Sequence, residues 1–283
     1  PEYRMNGPLR IIFSVTLLLM WTVFGLSLAN DAWTTSNWLM LGLAFLGCSV
    51  IFINFAYVFS YGYAISMLII HLAILALQPS LAAALIAGLG AAYGARLWRF
   101  THVRYRNATY GWIKARGDKA DAALPVALRL YLWVAVSWLM TFTAMSAWRV
   151  SESGVLSPWV VAGALVMLTG LLLETVADQQ KQAGKTRNPD GFVSDGLYRR
   201  IRHPNYVGEM IFQVGLMLAC IGSAQSWLEY AACLIGPLYI VILMYYAGRE
   251  ADEKQQHRYG ADPAYEQYRQ RSGAFLPGKG QPG

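Results

Sequence analysis

Charged residues are scarce in this sequence: Asp, Glu, Lys and Arg make up 14% of its 283 residues, whereas hydrophobic residues make up 56%. That balance excludes an ordinary soluble domain, in which about a quarter of the residues are charged. Cysteine is scarce too, and the three thiols lie in apolar runs without metal-type spacing: Cys48, Cys220 and Cys233. We therefore expect no metal site and no disulfide framework, and we interpret the cysteines as packing residues of a membrane core.

Long apolar runs are what the sequence contains instead. They lie near residues 11–29, 38–57, 64–77, 81–98, 125–147, 158–177, 206–222 and 228–247. Runs of roughly 18 residues or more predict membrane-spanning helices, and the run 64–77 is short for that purpose. The sequence therefore predicts an all-α polytopic membrane bundle of about eight transmembrane helices, with seven as the alternative.

Positive charge is distributed unevenly among the connections. Loop 99–123, loop 178–204 and the tail after residue 248 are rich in Lys and Arg, whereas segments 30–37 and 222–226 contain neither. The positive-inside rule then predicts that both termini and both basic loops are cytoplasmic. The net charge of +7 is explained by topology and by contact with anionic lipid headgroups, so we expect a membrane lipid as a partner and no nucleic acid.

Three charged side chains share one face of the helix predicted from residue 158 onward. Glu174, Asp178 and Lys181 are spaced i, i+4 and i+7. An ionised carboxylate inside an apolar run is costly and usually faces a cavity or a partner. Two interpretations stay open: the face lines a polar pocket, or Glu174 reaches water from the helix end with Lys181 as its local ion partner.

A cationic segment precedes the next apolar run. The stretch "GLYRRIRHPNYVGEM" spans residues 196–210 and places Asn205 and Glu209 on one face of the following helix. Its cations stand just before the helix start, where arginine forks and free N–H groups favour an anion such as phosphate: Arg199, Arg200, Arg202 and His203. The alternative is that these cations only fix the membrane topology.

The polar tail is predicted to continue the last apolar run as a helix with Arg249, Glu253 and His257 on one face. This helix either stays exposed to solvent or folds back to close a cytoplasmic pocket.

Residues 165–277 resemble the C-terminal half of the superfamily of membrane steroid 5-alpha reductases, sterol reductases and isoprenylcysteine carboxyl methyltransferases. The resemblance rests on "DQQKQAGKTRNPDG", on "GLYRRIRHPNYVGE" and on "DEKQQHRYG" followed by "YEQYRQRSGAFLP". The methyltransferases share the RHP element, but Asn205 and Glu209 match the reductase pattern. The most specific likeness is to a bacterial 5-alpha-reductase-like family of membrane proteins.

The resemblance implies an enzyme that uses NADPH to reduce a carbon–carbon double bond in a lipophilic, steroid-, sterol- or isoprenoid-like substrate within the membrane. It implies a bacterial inner-membrane protein with residues 1–123 on the substrate side and residues 124–283 on the cofactor side, facing the cytoplasm. The soluble G-x-G-x-x-G fingerprint is absent, so a Rossmann domain is not expected.

The resemblance also implies a set of residues that contact NADPH: Asp178, Lys185 or Arg187, Arg202, Asn205, Tyr206 and Glu209. Three residues of the tail would close over the cofactor: Arg249, Glu253 and Tyr259. Glu209 would lie near the nicotinamide amide and is also a candidate catalytic residue. The segments already described add further cofactor-binding candidates: Glu174, Lys181, Tyr198 and His203.

The N-terminal half resembles the family less. The segment "AAYGARLWRF" is similar to a motif of the 5-alpha reductases, which implies Tyr93 as a proton donor and Arg96 as its neighbour. Where the steroid enzymes carry an acidic motif, this chain reads "FSYGYA", so a 3-keto-steroid substrate is not indicated. Tyr57 and Tyr61 are candidates for the substrate pocket, or they are membrane-interface tyrosines.

Two other functional classes stay open. An S-adenosylmethionine-dependent methyltransferase acting on a lipid or lipidated acceptor would use the same C-terminal half. A non-enzymatic lipid-binding or scaffold protein would keep the fold without the chemistry. The sequence leaves the substrate and the oligomeric state undetermined.

Overall fold

The computed structural model describes residues 7–107 and 111–278, except for the side chains of residues 7–10, 112–114 and 116. The expectations for the N-terminal residues and for the charges of Lys114 and Arg116 lie outside this part. Within it the chain forms ten α-helices: α1 (Gly7–Ala29), α2 (Thr35–Cys48), α3 (Tyr61–Leu77), α4 (Leu81–Arg106), α5 (Gly111–Ala122), α6 (Val126–Ser153), α7 (Pro158–Arg187), α8 (Pro204–Ala219), α9 (Trp227–Tyr259) and α10 (Pro263–Arg271).

Seven helical segments of the described chain are long and apolar enough to cross a membrane, judged by length and composition: α1, α2 with the turn after it, α4, α6, α7, α8 with the turn after it, and α9. Helix α3 is apolar but only 17 residues long. At ~1.5 Å per residue it covers ~26 Å, less than the ~30 Å of a typical hydrocarbon core. The predicted polytopic membrane bundle is confirmed, with seven full-length segments and one shorter apolar helix.

The second apolar run is not one continuous helix. Helix α2 ends at Cys48, and two short 3-10 helices follow, Ser49–Phe52 and Phe55–Phe59. Between them the Asn54 side chain accepts a hydrogen bond from the Ala56 N–H at 3.0 Å and donates one to Asp118 at 2.9 Å. Asn side chains favour caps and turns over helix interiors because they hydrogen-bond nearby backbone, which explains the break.

The chain divides into two compact units. The first comprises residues 1–165 and 214–239, and the second comprises residues 166–213 and 240–283.

In the first unit, helices α3 and α4 form a hairpin with very close backbone contact. A Cβ atom added at Gly94 would lie 2.5 Å from the Leu68 nitrogen, and one added at Gly90 would overlap the His71 ring. Small residues permit such approach between apolar helices. Helix α6 is the most enclosed element, since every residue from 135 to 148 is buried. The three cysteines are buried and free.

The second unit contains the polar ends of α7 and α9, the start of α8, helix α10 and the tail. Backbone hydrogen bonds join the tail to the segment before α8: the Arg202 N–H donates to the Gly273 carbonyl at 2.8 Å, and the His203 N–H donates to the Ala274 carbonyl at 3.1 Å. The segment after α10 therefore folds back onto the approach to α8, whereas Arg249, Glu253 and His257 on the polar end of α9 stay exposed, as the solvated-helix alternative predicted.

Candidate functional site

Two glycines bring α7 and α8 into backbone contact in the second unit. A Cβ atom added at Gly170 would lie 2.5 Å from the Gly208 carbonyl oxygen, and one added at Gly208 would lie 2.7 Å from the Glu174 Cβ. No side chain fits at either position without a shift of the helices. The close approach therefore fixes Glu174 against the turn of α8 that carries Glu209.

Three acidic side chains are buried near the glycine contact between α7 and α8. Glu174 is 4% exposed, Asp178 is 5% exposed and Glu209 is 8% exposed. Carboxylates are rarely this buried unless they have polar partners or a function. Lys181, one turn after Asp178, is half-buried. Its positive charge contributes to lowering the pKa of His203.

Gln213 is a member of this group that the sequence reasoning missed. It is fully buried and continues the Asn205–Glu209 spacing by one more turn. The i, i+4, i+8 series was visible in the sequence, but an amide inside an apolar run gives a weaker signal than a charge.

The approach to α8 is organised by Asp252 of α9, which the sequence analysis did not single out although it begins the "DEKQQHRYG" motif. Arg202 donates two hydrogen bonds to this carboxylate, from Nε to Oδ1 at 3.0 Å and from Nη2 to Oδ2 at 2.8 Å. His203 contacts the same carboxylate through Nε2 at 2.7 Å. Two of the predicted anion-binding cations are therefore held by a carboxylate of the chain itself.

His203 is almost completely buried, with 1% of its side chain exposed. Burial lowers the pKa of His203, and the hydrogen bond and charge of Asp252 oppose that shift without overcoming it. A neutral imidazole then carries its hydrogen on Nε2, where it donates to Asp252. The ring stacks on Tyr206 with centroids 5.5 Å apart.

Two further tyrosines connect the tail to the start of α8. The Tyr198 hydroxyl donates to the Asn205 Oδ1 atom at 3.4 Å, and the Tyr268 hydroxyl of α10 donates to the Tyr198 carbonyl at 2.8 Å. Burial raises the pKa of Tyr268, so its hydroxyl stays protonated and able to donate.

The remaining predicted cations of α7 contact nearby loops. Lys185 donates to the Gly191 carbonyl at 2.7 Å and to the Tyr259 hydroxyl at 3.1 Å. Arg187 pairs with Asp195 at 2.6 Å on the surface. These two cations lie at the polar end of α7, beyond the buried carboxylates.

A separate open cleft of about 610 Å³ lies along the polar part of α9. Helix α9 provides one wall of the cleft, whereas α10 and the tail provide the other. Its charged and aromatic lining includes Arg202, Arg249, Asp252, Glu253, Arg269 and Phe275. The predicted residues Arg249 and Glu253 are thus brought together with Arg202 in this cleft. Arg269 was not predicted.

The predicted substrate residues lie in the first unit. Tyr93 is fully buried in α4, and its ring centroid lies 6.0 Å from that of Tyr63. Arg96 lies over the Phe100 ring at 5.5 Å.

Tyr57 and Tyr61 form a three-ring cluster with Tyr105, with centroids 5.3 to 5.6 Å apart. Tyr105 was not predicted, because it belongs to the basic loop in sequence and reaches the cluster only through the extension of α4.

Comparison with known protein families identifies a relationship for most of the chain. The family described as "Protein of unknown function (DUF1295)" matches residues 49–272. No curated protein and no solved structure matches the chain. The matched family is known as steroid 5-alpha reductase-like, in agreement with the resemblance carried by the C-terminal segments. Because the match covers well over half of the sequence, the chain belongs to this family.

Proposed function

We propose that this protein is a membrane reductase that uses NADPH to reduce a carbon–carbon double bond in a lipophilic substrate. The observation that carries the proposal is the burial of Glu174, Asp178 and Glu209 around the glycine contact of α7 and α8. The membership of a 5-alpha-reductase-like family supports the reaction class.

The chemistry of these side chains suits the cofactor. Carboxylates accept hydrogen bonds from the ribose hydroxyls and the carboxamide of a nicotinamide nucleotide. Lys181 offers a cation to a phosphate, and Asn205 at the start of α8 lies beside a helix N-terminus that favours an anion. Glu174, Asp178, Lys181, Asn205 and Glu209 are the residues that would hold NADPH. When bound, NADPH supplies a hydride to the β-carbon of a conjugated double bond.

The chain itself would donate the proton and exclude water from the reacting groups. We assign the proton to the Tyr93 hydroxyl, which would donate a hydrogen bond to the substrate carbonyl and so stabilise the negative charge that develops on its oxygen. Addition of one hydride and one proton saturates the bond. Because Tyr93 is fully buried, a substrate that contacts its hydroxyl would be shielded from bulk water.

The second candidate is an S-adenosylmethionine-dependent methyltransferase acting on a lipid or lipidated acceptor. The same buried carboxylates could accept hydrogen bonds from the ammonium group of that cofactor. Thermal unfolding of the detergent-purified protein with each cofactor separates the two functions. A cofactor at 100 times its Kd stabilises the folded state by about 2.7 kcal/mol, which corresponds to several degrees in Tm. A rise with NADPH and none with S-adenosylmethionine is expected, and the reverse pattern would replace the reductase with the methyltransferase.

A further inference from the structure

The open cleft along α9 begins at the end of the apolar run. Tyr245 lies in that run and lines the cleft, and Arg249 lines it one turn later. Four residues of α-helix rise ~6 Å, and the headgroup layer on each side of a bilayer is about 5–7 Å thick. Arg249 therefore stands at the depth of lipid headgroups when the apolar part of α9 spans the hydrocarbon.

The cleft carries an excess of positive charge. Asp252 is occupied by Arg202 through two hydrogen bonds. Within residues 7–107 and 111–278, Arg249 and Arg269 form no ion pair with a carboxylate. Their hydrogen bonds go to neutral groups, from Arg249 to the Tyr245 hydroxyl at 3.1 Å and from Arg269 to the Gln256 side chain at 3.0 Å.

Glu253 is the remaining carboxylate of the cleft, and it lies one turn from Arg249. Two guanidinium groups against one carboxylate leave one positive charge, which matches the single negative charge of a phosphodiester. Each guanidinium carries five N–H donors, so most donors of Arg249 and Arg269 stay available for a ligand.

The membrane end of the cleft is aromatic. The rings of Tyr245 and Phe275 stack with centroids 5.3 Å apart and 28° between their planes. Phe275 also packs against Gly248, where an added Cβ would lie 2.5 Å from its ring. The cleft thus has aromatic rings at its membrane end and the guanidinium groups of Arg249 and Arg269 in its polar part. An amphiphilic lipid has the same arrangement of apolar and charged groups.

We propose that this cleft binds the phosphate group of an anionic membrane lipid, with Arg249 and Arg269 on the phosphate and the lipid chains directed along Tyr245 and Phe275. This proposal does not rest on the reductase function, and it replaces the expectation that Arg249 and Glu253 contact NADPH. A free organic phosphate carries the same charged group as the lipid, so the experiment has to separate the two sources.

The lipid arm measures binding of phosphatidylglycerol and phosphatidylcholine to the full-length protein by native mass spectrometry. We expect the wild type to retain phosphatidylglycerol preferentially. Each arginine near a membrane surface contributes about a fivefold factor in affinity, so Arg249→Gln with Arg269→Gln should weaken phosphatidylglycerol binding about 25-fold. The matched control is Arg258→Gln, which removes the same charge from α9 at a residue that pairs with Asp190; its binding should stay within about twofold of wild type.

A variant that gains affinity gives a second readout. Glu253→Gln removes the remaining carboxylate and should tighten phosphatidylglycerol binding without affecting phosphatidylcholine. Equal phosphatidylglycerol binding by the double variant, the Arg258→Gln control and the wild type would overturn the proposal.

The soluble arm repeats the measurement with NADPH and with inorganic phosphate as competitors. Neither should displace phosphatidylglycerol, and the double variant should bind NADPH as the wild type does. Displacement by NADPH, together with a parallel loss of NADPH affinity in the double variant, would assign the cleft to a nucleotide and overturn the lipid assignment. Conversely, retention of phosphatidylglycerol by a protein that binds no NADPH would refute the reductase function and leave the lipid site in place.

Discussion

The guanidinium of Arg202 lies against the carboxylate of Asp252, with two hydrogen bonds of 3.0 and 2.8 Å between them. Arg202 lies two residues before Pro204, the first residue of α8, whereas Asp252 lies in the polar part of α9. The pair therefore connects two chain segments separated by 50 residues, and His203 adds a third hydrogen bond to the same carboxylate. Within the second unit this network holds the start of α8 in position.

Replacement of Asp252 by Asn should destabilise the protein by about 2 kcal/mol or more. The variant leaves Arg202 with a neutral partner in a site where its side chain is 11% exposed, and loss of one partner of a buried ion pair is strongly destabilising. Thermal unfolding in detergent measures the effect. Asp190→Asn is the control, because its pair with Arg258 has a carboxylate that is 96% exposed and should contribute almost nothing. An equal effect of both substitutions would contradict the assigned role.

The stability of the protein should fall as the pH drops below about 6.5, the ordinary pKa of histidine. Burial lowers the pKa of His203, so the unfolded chain takes up a proton before the folded one does, and acid favours unfolding. The charged groups around the imidazole are Asp252, Lys181 and Arg202. Unfolding measured from pH 8 to pH 5 should show a smaller decrease for His203→Gln than for the wild type; parallel pH profiles would exclude His203 as the source.

Gly208→Ala should disrupt the contact between α7 and α8. The added methyl group would meet the Glu174 backbone at 2.6 to 2.8 Å, so the helices must separate, at a cost of about 1–3 kcal/mol. Gly88→Ala in α4 has open space at the same position and should stabilise slightly, because alanine is the better helix former. The comparison of the two Tm values, together with NADPH affinity, tests whether this close approach shapes the site.

Tyr93→Phe should lower turnover by two to three orders of magnitude and leave NADPH affinity nearly unchanged. A single donor to a developing oxyanion contributes about 3–4 kcal/mol, and Phe preserves the buried ring. Tyr63→Phe is the matched control, since its ring contacts that of Tyr93. Reduction of a candidate lipid substrate, followed through NADPH absorbance, provides the measurement. Full activity of the Tyr93→Phe variant would remove this residue from the mechanism.

The sequence predicted the membrane helices better than their ends. The apolar run 158–177 marks only part of α7, which continues to Arg187, and the run 228–247 marks only part of α9, which continues to Tyr259. Hydropathy detects the part of a helix that suits lipid, whereas polar residues such as Gln, Lys and Glu prolong a helix equally well in water. The break after Cys48 was not predicted, because residues 50–59 are apolar except for Asn54 and hydropathy shows one uninterrupted run there.

The sequence predicted which charged residues belong to the candidate site, but it did not predict which of them contact each other. Spacing along one helix placed Glu174 with Asp178 and Asn205 with Glu209, because i and i+4 share a face. Spacing could not show that Arg202 and His203 point at Asp252, since that contact depends on how the tail returns to the segment before α8.

The central claim is that the buried carboxylates of α7 and α8 hold NADPH, and the most direct test is the Kd for NADPH of Glu209→Gln. The control is Glu266→Gln, which alters a side chain of α10 that contacts Gln270. Loss of a hydrogen bond to a charged group corresponds to at least about tenfold in affinity. We predict that loss for Glu209→Gln and none for Glu266→Gln; tight NADPH binding by both variants would contradict the account.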